Sequence, residues 1–141
     1  MLCQIGRLAV AAARLEEWIE ALEAEVIGPS SDKRGPISAS VSRVKKHLEA
    51  QSTPTPLERD MLGWLTQAQD ALTKRNRVLH ARWLPVPDEL KQKWELLGTH
   101  EESGTPTPST VDAMYDLAME VLDASLVGEH YTLLWRASHP R

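Results

Sequence analysis

Lys74-Arg75-Asn76-Arg77-Val78-Leu79-His80-Ala81-Arg82-Trp83 is the segment whose residue types could do chemistry, and five of its ten side chains are cationic or can become so. An imidazole such as that of His80 exchanges protons near neutral pH. The guanidinium of Arg75 can hold phosphate oxygens through a fork of N–H donors and offset charge developing at phosphorus. Asn76 adds a neutral polar group. Asn76 and His80 are four residues apart, so on a helix they share a face. Arg75 lies five residues before His80, about 140° round an ideal helix. It can meet His80 through its length, through a distorted last turn, or across an interface. Cations at a helix C-terminus are also favoured with no function at all, because that end carries partial negative charge.

Lys74, Arg77 and Arg82 could contact an RNA backbone; the alternative is that they are solvated or ion-paired. Arg43, Lys45, Lys46 and His47 form a second basic patch, read first as a solvated helix face and second as a widening of an RNA cleft. Trp83 could stack on a base, although plugging the end of a bundle suits the apolar Trp83-Leu84-Pro85 run better. Trp94 is open in the same way. Glu16, Glu17, Glu20 and Glu23 read as a solvated face. His100, His130 and His139 show no partner spacing. Cys3 has no evident base beside it, so it reads as structural. No glycine loop for phosphate, no G-x-S-x-G elbow and no His-x-x-x-His or Glu-x-x-His pair occurs. No metal site and no cofactor is expected.

Helices must position these residues. Leu2, Ile5, Leu8, Ala12, Leu15, Ile19, Leu22 and Val26 recur at spacings of three and four, which predicts one long helix. Gly28-Pro29 ends it, and Ser30 to Pro36 reads as a loop. Val41, Val44 and Leu48 give the stripe of a helix from about Ser38 to Gln51. Thr55, Pro56 and Glu58 form a capping box with proline at the first helical position. The helix that follows carries Leu57, Met61, Trp64, Leu65, Ala68, Leu72 and Leu79, and Pro85 and Pro87 predict its end near Arg82 or Trp83. Asp88 to Leu97 reads slightly better as a short helix than as a hairpin strand around Trp94 to Leu97 turned by Gly98. Glu101 to Pro108 reads as a loop. Ser109 can cap a last helix, with Asp112 at its third position and Val111, Met114, Ala118, Val121 and Leu122 as its stripe. That helix either persists to Leu134 or breaks at Gly128. The expected fold class is all-α: one domain over 1–141, a bundle of four to five antiparallel helices, with a short hairpin or extra helix around 88–100.

The whole-chain numbers bound the function. At 141 residues and a net charge of −4, the chain is one domain and does not coat nucleic acid through bulk positive charge. One cysteine excludes an internal disulfide. No apolar run approaches the ~18 residues of a membrane span. No leader pattern is present, so a soluble, cytoplasmic protein is expected. With five Trp and no Phe, the large core rings must be Trp18, Trp64, Trp83, Trp94 and Trp135, joined by Tyr115 and Tyr131.

Arg75-Asn76-Arg77-Val78-Leu79-His80 resembles the R-x4-6-H signature of the HEPN superfamily of small helical bundles. A polar residue after the Arg and a small residue after the His are frequent there, and Asn76 and Ala81 suit both places. The resemblance covers most of the chain as architecture and six to eight residues as motif. It implies a metal-independent endoribonuclease in which two protomers pair so that both motifs line one cleft. His80 would then be general base or acid, Arg75 would stabilise the pentavalent phosphate, and Asn76 would orient phosphate or imidazole. The RNA 2′-hydroxyl would attack the adjacent phosphate. The resemblance also implies a toxin or phage-defence setting with an antitoxin or other protein partner. The alternative it leaves is a non-catalytic interaction or nucleotide-binding module of the same fold.

Overall fold

The computed structural model describes residues 2–29, 35–88, 93–102 and 105–140. In chain order its elements are α1 (Leu2–Val26), α2 (Ile37–Glu49), α3 (Pro56–Leu79), β1 (Arg82–Asp88), β2 (Lys93–Glu102), β3 (Thr105–Thr110) and α4 (Val111–Ser138). The four helices bundle around one core. Leu8, Leu15, Ile19 and Leu22 of α1 meet Val41, Val44 and Leu48 of α2, Met61, Leu65 and Ala68 of α3, and Met114 and Val121 of α4. Leu2, at the start of the expected α1 stripe, is 81% exposed and lies outside this core. Gly28 ends α1 with φ of 110°, the left-handed conformation that side-chain-bearing residues resist. Most of the loop expected over 30–36 lies outside the described residues.

The start of α3 is the expected capping box. The Glu58 amide donates to Thr55 Oγ1 (3.2 Å), and the Thr55 amide donates to Glu58 Oε2 (2.6 Å). The helix ends at Leu79, earlier than the proline positions suggested, because Arg82 and Trp83 are already paired in β1.

Residues 82–110 correct two expectations. Of the two readings of 88–97, the described residues follow the strand reading rather than the short helix: β1 and β2 pair antiparallel with Asp88 opposite Lys93 and Leu84 opposite Leu97, and Gly98, expected at the turn, lies within β2 opposite Trp83. The loop expected from Glu101 to Pro108 is largely strand, because β3 adds to β2 with Thr99 opposite Pro108. The result is an antiparallel meander in the order β1-β2-β3. Proline placement explains why this sheet is possible. Pro85 and Pro87 lie on β1 and Pro106 and Pro108 on β3, the two edges, whereas the central β2 contains none. A proline cannot donate to a ladder and is tolerated only at such edges. The sheet is tied to the bundle by Trp83, whose Nε1 donates to the carbonyl of Val78 (3.3 Å) and whose ring covers Gly98.

Thr110, one residue later than expected, caps α4, its hydroxyl accepting from the Ala113 amide (3.1 Å). The helix passes through Gly128 without a break and ends at Ser138. Gly128 is there for contact, since a Cβ would meet Trp64 Cζ2 at 2.5 Å and Trp18 Cβ at 3.3 Å. Trp64 and Trp135 are buried, and Trp18 and Trp83 are half-buried. The helices do not all follow the antiparallel order expected of the bundle. Helices α1 and α4 run in the same direction, with Trp18 beside Gly128 and Trp135 Nε1 donating to the carbonyl of Glu25 (3.3 Å). No helix among the described residues is long and apolar enough to cross a membrane.

Candidate functional site

The last turn of α3 carries the motif. The His80 amide still donates to the carbonyl of Asn76 (3.0 Å), so the helical spacing holds through the final residue. Asn76 and His80 are both exposed, and this spacing sets them on one face of α3. His80 is the C-cap of the helix. Val78 is buried and half-buried Leu79 also packs against the core, so the two exposed polar side chains stand on a supported last turn.

Arg75 is directed elsewhere. One terminal nitrogen of its guanidinium pairs with Glu16 Oε1 of α1, and the Arg75 side chain is only 19% exposed. Its Nε is buried with no hydrogen-bond partner among the described residues. The structure therefore brings Asn76 and His80 together and anchors Arg75 across the α1–α3 junction. Glu16, read from the sequence as part of a solvated acidic face, is instead the residue that holds the motif arginine. The two lie 59 positions apart, and no local pattern announces a pairing over that separation.

Lys74 is engaged by two carboxylates, Asp70 Oδ2 one turn earlier and Glu120 Oε1 on α4, both at 2.9 Å. Glu120, and then Asp70, raise its pKa above the ordinary lysine value. Arg77 and Arg82 are exposed, and each already has an interaction within the chain. The second basic patch is also partly committed. Arg43 forks onto Glu23, donating from Nε to Oε1 and from a terminal nitrogen to Oε2 (3.1 Å), and Lys45 donates to Thr66 Oγ1 (3.0 Å). Glu23 is thus a buried partner rather than a solvated one. Cys3 is exposed. Among the described residues no group of three or more His, Cys, Asp or Glu is arranged to hold a metal ion.

Chemically, the motif end offers one titratable ring, one amide beside it and a fixed guanidinium with N–H groups beyond the one given to Glu16. Compared with known proteins, the chain matches no family model, no curated protein and no solved structure.

Proposed function

We propose that this protein is a HEPN-like, metal-independent endoribonuclease that acts as a homodimer, with two Arg75/His80 motifs lining one cleft. The observation that carries the reading is the pairing of exposed Asn76 and His80 on the last turn of a firmly packed helix, next to an arginine held in place by Glu16. In this reading one His80 takes the proton from an RNA 2′-hydroxyl. The 2′-oxygen attacks the neighbouring phosphorus, and His80 of the second copy protonates the departing 5′-oxygen. The products are a 2′,3′-cyclic phosphate and a free 5′-hydroxyl. Arg75, after turning its guanidinium from Glu16, stabilises the charge on the pentavalent phosphate, and Asn76 orients the phosphate or the ring. Arg77, Arg82 and Lys74 are the candidates for backbone contacts, each only after exchanging the interaction it already makes within the chain. The setting proposed is a cytoplasmic toxin or phage-defence protein with an antitoxin or similar partner.

The test is cleavage of RNA in EDTA by the wild type, His80→Ala and Arg75→Ala, with product ends identified. Each variant should lose at least ~100-fold in rate, the usual scale for removing a proton-transfer or charge-stabilising group. Persistent cleavage by both variants removes the motif from the mechanism. A second reading, a non-catalytic interaction module of the same fold, is favoured by the exposed apolar residues of α4. Inactivity of all three proteins across RNA classes supports it.

A further inference from the structure

Helix α4 is apolar on two sides. Met114, Leu117, Val121 and Trp135 face the core, yet Tyr115, Met119, Leu126 and Leu133 are 43%, 41%, 51% and 49% exposed. At about 100° per residue these four, with half-buried Leu122, fall within ~60° of arc and form one straight stripe along the outer surface. A helix that is apolar beyond its core-facing side is expected to be covered. Beside the stripe, α1 and α4 enclose an open groove of about 600 Å³, which 64%-exposed Val10 also lines.

The margins of this face carry opposite charge. Arg7 and Arg14 of α1 line the groove on one side. Asp116 and Asp123 of α4 lie about 80–100° round the helix from Tyr115, on the other side of the stripe. All four are exposed, and none makes an ion pair within the chain among the described residues. Each pair is spaced by seven residues, two helical turns. Their heights also agree. Helices α1 and α4 are parallel, and the contacts of Trp18 with Gly128 and of Glu25 with Trp135 share an offset of 110 residues. Asp116 and Asp123 therefore stand within about one residue's rise, ~1.5 Å, of the levels of Arg7 and Arg14.

We infer that this face is where two copies of the chain associate, through a two-fold axis parallel to α1 and α4. Such an axis keeps every residue at its own height and exchanges the two margins. Arg7 and Arg14 of each copy then meet Asp116 and Asp123 of the other, while the stripes close over each other. A two-fold lying across the helices would set arginine against arginine and is disfavoured by charge. The surface is separate from the motif: Lys74 of α3 reaches α4, and Asn76 is about 200° round α3 from it. The inference does not rest on the ribonuclease reading: the motif cleft would be a second interface, and the two together give a tetramer that the charge variants split into dimers.

The test uses two double variants of the full chain, R7E/R14E and D116R/D123R, with mass measured by light scattering and folding by circular dichroism. Wild type is expected as an even-numbered assembly, and each variant alone at half its mass. An equimolar mixture should return to the wild-type mass, because both margins of the mixed pair are again complementary. His80→Ala should leave the mass unchanged, which separates this result from any loss of cleavage. A monomeric wild type, variants that keep the wild-type mass, or a mixture that stays at half mass each overturns the proposal and leaves the face to a different partner.

Discussion

Glu23 shows how one buried charge is kept. Its carboxylate is 8% exposed and accepts two hydrogen bonds from Arg43. Those bonds lower its pKa from the ordinary value of 4.5, against burial, which acts to raise it. A carboxylate whose folded pKa lies below the unfolded one stabilises the fold above the unfolded pKa. That contribution fades as pH falls from about 5 through 4.5 toward the lowered value. Glu23→Gln should therefore cost about 1 kcal/mol at pH 7, since Arg43 is half exposed and water screens the pair. Urea midpoints measured between pH 7 and 3 should fall less steeply for the variant than for the wild type. His80 is the opposite case at the same scale. It is exposed at a helix end, so His80→Ala should shift stability by no more than ~0.5 kcal/mol, and an effect on RNA cleavage would be chemical in origin. Glu16 falls between the two, a half-exposed acid whose place is defined by the arginine it holds.

At the scale of elements, α3 matters most, because it presents the motif at one end and is locked by the capping box at the other. Thr55→Ala removes the acceptor for the Glu58 amide and should cost about 1 kcal/mol. A thermal melt of a chain of this size would register that as a drop of several degrees, ~3–6 °C. The helices were legible because each writes its own pattern: Val41, Val44 and Leu48, or Met61, Leu65, Ala68 and Leu72, sit at helical spacing and are buried as that spacing requires. The sheet was harder to read. Asp88 with the apolar positions that follow imitates a capped helix, and β2 becomes a strand only because β1 and β3 supply partners on both sides. Strand pairing is non-local, whereas capping and amphipathic periodicity are contained in a few consecutive residues.

For the whole molecule, the junction of α1, α3 and α4 is where packing is least forgiving. Trp64 Nε1 donates to the carbonyl of Ala124 (2.8 Å), and its ring lies over Gly128. Gly128→Ala would place a methyl group at 2.5 Å from that ring. It should destabilise by about 1–3 kcal/mol despite alanine's better helix propensity, measurable by urea unfolding. The same junction sets α1 and α4 parallel, and with that the match of Arg7 and Arg14 to Asp116 and Asp123. By itself the sequence determined the helical class, the four helices and most of their faces, the α3 cap, and the Arg75-Asn76-His80 motif at a helix end. Each of these depends on neighbours within a few turns. Only the tertiary structure decided the meander, the anchoring of Arg75 by Glu16, the burial of Glu23 and the charged margins of the α1/α4 face. Those join residues dozens of positions apart, and a linear pattern carries no record of which distant side chains will share a surface.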